Sequence, residues 1–230
     1  MSTAQPRKDL AAVLFDLDGT LIDTAPDLAY ALNLQRRARR RPEVPLSRLR
    51  PFVSQGARGM LREGFGLTPE HADYAALREE FLDLYAANLC RESQLFHGMP
   101  EVLEQLETRR IPWGVVTNKL QRFTLPLLEA LGLSERAACI VCGDTTPYTK
   151  PHPAPLLAAS TWLALEPAAC VYVGDDERDV QAGHAAGMVP IVALYGYLGA
   201  DRPPQQWGAE HYISAPLDLL NLLPAPLSMG

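Results

Sequence analysis

Five short runs of the chain are apolar almost without interruption: Ala11–Phe15, Trp113–Val116, Cys139–Cys142, Cys170–Val173 and Val189–Leu194. Each has the length of a strand, and most lack the alternation of polar and apolar residues that a strand with one wet face would show. That pattern predicts parallel strands covered on both sides. Between them the period lengthens to that of helices. Pro100–Arg110 carries Val102, Leu103 and Leu106, with Pro100 suited to a first turn. The stretch from Phe123 ends in Leu131-Gly132-Leu133, where Gly132 fits the left-handed residue after a helix and Leu133 packs back. Pro153–Leu163 and Asp179–Ala186 follow, the second stopped by Gly187 in the same way. Strand and helix in alternation predict an α/β fold, a Rossmann-like doubly wound parallel sheet.

One stretch departs from the alternation. From Asp23 to about Phe96 the pattern is helical throughout, with no convincing strand. Ala25–Arg40 reads as one helix and Pro69–Asn88 as another, with Thr68 as N-cap and Pro69 at the first position. Pro42, Pro45, Gly56 and Gly64 divide the rest. The expected division is a catalytic core of residues 1–22 and 97–230, with an all-helical cap subdomain, 23–96, inserted between them.

In open α/β sheets, ligands bind beyond the carboxyl ends of the strands, so the residues that follow each apolar run matter most. They are Asp16-Leu17-Asp18-Gly19-Thr20, then Thr117-Asn118-Lys119, then Gly174-Asp175-Asp176-Glu177-Arg178-Asp179. Asp16 and Asp18 leave the same face of a strand end, where two carboxylates repel unless a cation lies near. A divalent cation among Asp16, Asp18, Asp175 and Asp179 would relieve this, and oxygen donors of this kind suit Mg²⁺. Asp16 is then the candidate nucleophile for phosphoryl transfer and Asp18 the candidate acid and base. Thr117 and Asn118 offer hydroxyl and N–H donors to phosphate oxygens, and Lys150 a fixed cation stiffened by Pro151-His152-Pro153.

Composition narrows the partners. The formal net charge of -6 gives no reason to expect nucleic acid. The basic run Arg36-Arg37-Ala38-Arg39-Arg40-Arg41 reads as a solvated face at a helix end. Cys139 and Cys142 have a CxxC spacing, but on a strand they point to opposite faces and do not converge on a metal. Reduced core thiols, a polar Met1–Asp9 segment and no long apolar span lead to the expectation of a cytoplasmic protein that does not enter membranes. Its partner would be a small phosphorylated metabolite, and its state monomer or homodimer.

The quoted segments Asp16–Thr20, Thr117-Asn118-Lys119, Lys150-Pro151 and Gly174–Asp179 resemble, in order, the four motifs of the haloacid dehalogenase superfamily with a helical cap after the first. The resemblance implies Asp16 as nucleophile, Asp18 as acid/base, Thr117 and Lys150 as phosphate holders, and Asp175 as part of a Mg²⁺ site. It also implies that Asp18 meets the metal through its backbone carbonyl. Within the superfamily the chain is similar to the phosphoglycolate phosphatase branch. Tyr195-Gly196-Tyr197 and Trp207-Gly208-Ala209 are similar to relatives that dephosphorylate N-acetylmuramate 6-phosphate. Leu120 stands where those families carry proline, and Asp176 where many carry serine. A β-phosphoglucomutase-like phosphomutase would share every core motif. A dehalogenase would not need Asp18, and a binding module would not need the whole set. For the substrate, the loop Gln55-Gly56-Ala57-Arg58-Gly59 is the candidate, with Arg58 to pair a carboxylate.

Overall fold

Strand β1 (Ala12–Phe15) lies inside a six-stranded sheet whose spatial order, in the chain numbering of its strands, is β5-β4-β1-β6-β7-β8. The others are β4 (Trp113–Val116), β5 (Cys139–Val141), β6 (Cys170–Gly174), β7 (Val189–Ala193) and β8 (His211–Ile213), and every pairing is parallel. The chain goes from β1 outward to β4 and β5, then returns to the other side for β6, β7 and β8. The carboxyl ends of β1, β4 and β6 therefore flank the place where strand order reverses, which is where such sheets open a crevice. This computed structural model describes residues 10–199 and 202–224; Met1–Asp9 lies outside the described residues.

Both faces of the sheet are covered, as the apolar runs require. Val13 and Phe15 of β1 join Val171 and Val173 of β6 in a cluster with helices α5 (Met99–Thr108) and α6 (Gln121–Ala130). Ala12 and Leu14, with Cys170 and Tyr172, join a second cluster with α7 (Ala154–Leu163) and α8 (Glu177–Ala186). The four cysteines are free, and those on the strands are packing groups; burial pushes the Cys139 thiol up to about 12.

Between β1 and α5 the chain forms α1 (Ala25–Ala38), α2 (Leu46–Leu49), a 3₁₀ turn (Arg50–Gln55), α3 (Gly56–Phe65) and α4 (Tyr74–Ala87). These helices bury a cluster of their own, including Leu28, Leu32, Leu49, Met60, Phe81 and Tyr85, joined by Phe123 and Tyr197 from the sheet side. Here the structure corrects the sequence reading in three places. The stretch is not free of strand: β2 (Ile22–Asp23) pairs antiparallel with β3 (Gln94–Leu95) at its two ends. Helix α4 begins at Tyr74 and not at Pro69, because the backbone and side chain of Thr68 close a turn with His71. The segment Gln55–Gly59 is a helix start and not a loop. Strand β8 was also missed, since three residues with His211 and Tyr212 at the surface carry no apolar run.

The arginine run is mostly engaged locally. Arg39 pairs with Glu80 of α4 at 2.5 Å, Arg37 with Glu43 at 3.4 Å, and Arg36 donates to the carbonyls of Pro42 and Gly64. Among the described residues no helix is long and apolar enough to cross a membrane.

Candidate active site

The polar residues that end β1, β4 and β6 meet at the crevice. Gly19 turns the chain away from β1 with φ +87, and a Cβ there would come within 2.3 Å of an Asp175 carboxylate oxygen. Only glycine lets the two strand ends approach this closely. Asp175 is fully buried; it accepts from Thr20 Oγ1 at 3.1 Å, from the Tyr197 backbone N–H at 2.8 Å and from Ser54 Oγ at 3.3 Å. Asp179 sits in the first turn of α8. Its Oδ2 accepts from the Asp176 N–H while Asp176 accepts from the Arg178 N–H, so the two carboxylates also cap the helix.

Asp16, Asp175 and Asp179 bring carboxylate oxygens within 4.8 Å of one another. The Lys150 ammonium, 4% exposed, stands 2.8 Å from Asp16 Oδ1 and 2.7 Å from Asp179 Oδ1, and donates to the Tyr172 hydroxyl at 2.6 Å. Burial works against its charge, yet Asp16 and Asp179 outweigh that and hold its pKa up. Three buried carboxylates against one lysine leave the cluster short of positive charge. Burial, and then repulsion from Asp16 and Asp179, pushes Asp175 well above the ordinary carboxylate range; burial, opposed by Lys150, pushes Asp16 up to about 6. Asp16 Oδ1 is buried and meets the Lys150 ammonium as an ion pair. All-oxygen donors and excess negative charge fit a small hard cation.

Asp18 keeps different company. Its carboxylate accepts from Thr24 Oγ1 at 2.5 Å and from Lys119 Nζ at 2.9 and 3.2 Å, and it is not one of the three clustered carboxylates. The Lys119 ammonium lies 4.6 Å from the centre of the Tyr85 ring. Burial opposes its charge, but Asp18 prevails and raises its pKa. Thr117 is buried; its hydroxyl oxygen accepts from the Lys119 N–H, so its proton is free for a ligand. The Asn118 amide is already committed: it donates to the Lys150 carbonyl and accepts from the Lys150 N–H, both at 2.9 Å. Asn118 therefore braces the lysine segment, which leaves its backbone N–H and the second amide hydrogen to donate.

Above these groups lies a cavity of about 230 Å³, lined among others by Asp16, Asp18, Thr117, Asn118, Lys119, Lys150 and Asp179, and on the opposite side by residues of α1, α3 and α4. Arg58 is not among its lining residues. It is exposed and borders a second cavity of about 350 Å³ with Arg62, Arg178 and Arg202. The guanidinium that reaches the first cavity from α8 is Arg178, bound by two 2.8 Å contacts to Asp176 and by 2.7 Å to the Ser54 carbonyl. Its hydrogen bonds to Asp176 hold its pKa up. Sequence reasoning quoted Lys119 and Arg178 without giving them a role. Tyr197 it quoted only within a resemblance, and Thr24 it missed: the Tyr197 hydroxyl accepts from the backbone N–H of Thr24 and Ala25 at 2.8 and 2.9 Å and donates to Asp23 at 2.9 Å. No local pattern marks two residues that meet across so much chain.

Comparison with known proteins agrees with this geometry. A family profile described as haloacid dehalogenase-like hydrolase matches residues 13–193. The chain is 41% identical over 218 residues to the N-acetylmuramic acid 6-phosphate phosphatase of Pseudomonas putida, covering 95% of this chain and 98% of that protein. It is 44% identical over 211 residues to a phosphoglycolate phosphatase of Xanthomonas campestris pv. campestris, covering 90% and 94%. Among solved structures, a predicted phosphoglycolate phosphatase from Haemophilus somnus superposes with a TM-score of 0.81 at 27% identity, covering 93% of this chain and 97% of that one. With the strand-end carboxylates, the buried lysine and the sheet order all in place, the chain belongs to the haloacid dehalogenase-like hydrolases.

Proposed function

We propose that this hydrolase is a Mg²⁺-dependent phosphatase of a small phosphomonoester, of the kind its phosphoglycolate and N-acetylmuramic acid 6-phosphate relatives act on, and that it works through an aspartyl phosphate on Asp16. The observation that carries the reading is the division of labour between two carboxylates of one strand end. Asp16 stands with Asp175, Asp179 and Lys150, while Asp18 is held apart by Thr24 and Lys119.

Bound among Asp16, Asp175, Asp179 and the Asp18 carbonyl, Mg²⁺ would neutralise charge on the phosphoryl oxygens and on the nucleophile. The Lys150 ammonium and the Thr117 hydroxyl orient the remaining phosphoryl oxygens, with Asn118 fixing the lysine segment. Asp16 attacks phosphorus in line, the bond from phosphorus to the ester oxygen breaks, and the proton of Asp18 passes to the departing oxygen. Asp18, now a carboxylate, takes a proton from water. That water attacks phosphorus, the bond to Asp16 breaks, and phosphate leaves with Asp16 restored. Residues 23–96 act as a cap over the cavity, and excluding bulk water from it keeps the ester and not the solvent in line with Asp16.

The test is phosphate release from 2-phosphoglycolate and N-acetylmuramate 6-phosphate with Mg²⁺ and with chelator. It is coupled to the intact mass of enzyme quenched in acid during turnover. The wild type gains one phosphoryl group and Asp16→Asn does not. Metal-independent release, or a phosphorylated Asp16→Asn protein, would sink the proposal.

A further inference from the structure

Beside the first cavity lies the second, of about 350 Å³, with α3 on one side and α8 and the segment 198–207 on the other. Gln55, Asp176 and Arg178 line both cavities and form the wall between them. That wall is tied across: Arg178 donates to the Ser54 carbonyl at 2.7 Å while it holds Asp176 through two 2.8 Å contacts. The second cavity is therefore a place of its own, and its charge is opposite to that of the carboxylate cluster.

Two carboxylates line it, and each already has a cation. Asp176 is matched by Arg178, and Glu177 by Arg202 at 2.5 Å. Arg58 and Arg62 are left over. Both are exposed, they stand one turn apart on α3, and neither guanidinium forms a salt bridge among the described residues. Arg62 lies over the Phe52 ring at 5.4 Å, which holds its stem in place; Arg58 interacts at longer range with the exposed Glu70. Like charges at positions i and i+4 of a helix repel. Here the repulsion falls on a concave surface of a chain whose formal net charge is -6, and an anion between the two guanidinium groups removes it. Gln55 and Gln181 add amide donors, and no histidine, cysteine or unpaired carboxylate lines the cavity. Such a lining can hold an anion but has no group to react with one.

We propose that the second cavity is a binding site for a compact polyanion, two or more phosphate or carboxylate groups on a small frame, gripped by Arg58 and Arg62 of α3 against the far wall of α8 and the segment 198–207. The planar fork of a guanidinium suits either oxyanion. The occupant joins α3 to the sheet layer at the rim of the first cavity, and it is distinct from the ester that reacts there. The inference stands apart from the phosphatase reading, since it concerns binding and no step of turnover.

The experiment is isothermal titration calorimetry of the full chain, freed of metal, with pyrophosphate and separately with tricarballylate. Without a cation the three carboxylates of the first cavity oppose a polyanion, so the heat reports the second. At least one probe is expected to bind one to one with a Kd of about 1 mM or tighter, and which of the two binds tells phosphate from carboxylate. Arg58→Gln with Arg62→Gln is expected to weaken that binding by at least about tenfold. Arg40→Gln with Arg41→Gln removes the same charge from residues that line neither cavity, and is expected to weaken it by less than about threefold. No saturable binding of either probe overturns the inference, as do equal losses in the two double variants. Should the α3 double variant fail to fold, Arg58→Gln alone decides, with a loss of at least about threefold expected and an unchanged Kd overturning the site. Phosphate release with Mg²⁺ is a separate measurement, and its failure would bring down the phosphatase reading without touching this one.

Discussion

Asp16 and Asp18 are two residues apart and chemically identical, yet their surroundings differ. Asp16 faces two other buried carboxylates and a lysine; Asp18 faces a threonine hydroxyl and a second lysine. On the proposed mechanism Asp16→Asn is expected to lower kcat by about 10⁴-fold or more, because the phosphoryl acceptor is lost. Asp18→Asn is expected to lower it by about 10² to 10⁴, the usual worth of acid–base help. Both follow from steady-state phosphate release, and near-wild-type turnover in either would remove the assigned role. Lys119→Met takes away the cation that orients Asp18 and is expected to reduce kcat about 10- to 100-fold with a smaller change in KM. A change confined to KM would mean that Lys119 binds substrate instead. At this scale the residues ending apolar runs were legible, because a carboxylate or lysine there is out of keeping with its run. What Asn118 and Lys119 bind was not, because their partners come from other segments, and Arg58 was read as facing a site that it does not border.

Elements are held to one another by a few buried polar clasps. Asp27 in the first turn of α1 accepts from the backbone N–H of Arg91, Glu92 and Ser93 and from Ser93 Oγ, at 2.6 to 3.1 Å. It fixes the chain returning from α4 to the start of α1. Asp27→Ala strands these donors and is expected to cost about 3 kcal/mol in urea unfolding; a loss under about 1 kcal/mol would show that water replaces the carboxylate. A lighter clasp joins α1 to α4, where Arg39 and Gln35 both donate to Glu80. The Arg39 hydrogen bond holds the Glu80 carboxyl below its ordinary value. A depressed carboxyl stabilises the fold above its unfolded pKa and loses that contribution as pH falls through the folded one. Glu80→Gln is therefore expected to cost about 0.5 kcal/mol at neutral pH, the pair being partly exposed, and less below about pH 4. A cost that grew on acidification would reverse the sign of the argument. The long apolar strands and the helices between them were legible from periodicity; the short β2, β3 and β8 were not, nor was the start of α4, because a proline after threonine suits a turn as well as a helix.

For the whole molecule the doubly wound parallel sheet was within reach of the sequence, since apolar strands that alternate with helices admit few arrangements. How the helices between β1 and α5 sit on the sheet was not, because that depends on contacts such as Tyr197 with Thr24, Ala25 and Asp23, made by residues with no local signature. The excess negative charge of Asp16, Asp175 and Asp179 has a global effect. A cation bound there stabilises only the folded chain. Mg²⁺ at about a hundredfold excess over its Kd is expected to raise Tm by on the order of 5 °C, reversed by chelator. Asp175→Asn is expected to shrink the shift. An unchanged Tm across that titration would argue against a cation among the three carboxylates.

The pairing of β2 with β3 bears on how such a chain can vary. Ile22 and Leu95 are partners across one short ladder, so the excursion between them leaves and rejoins the sheet layer at adjacent points. A change in its length leaves that ladder's register as it is. Lengthening a loop whose ends are already clasped adds only slowly to the entropy of closing it. The excursion is thus a place where helices can be added, lost or exchanged while β1 and α5 keep their positions. A lineage could rewrite this segment and leave the strand ends at the crevice as they are.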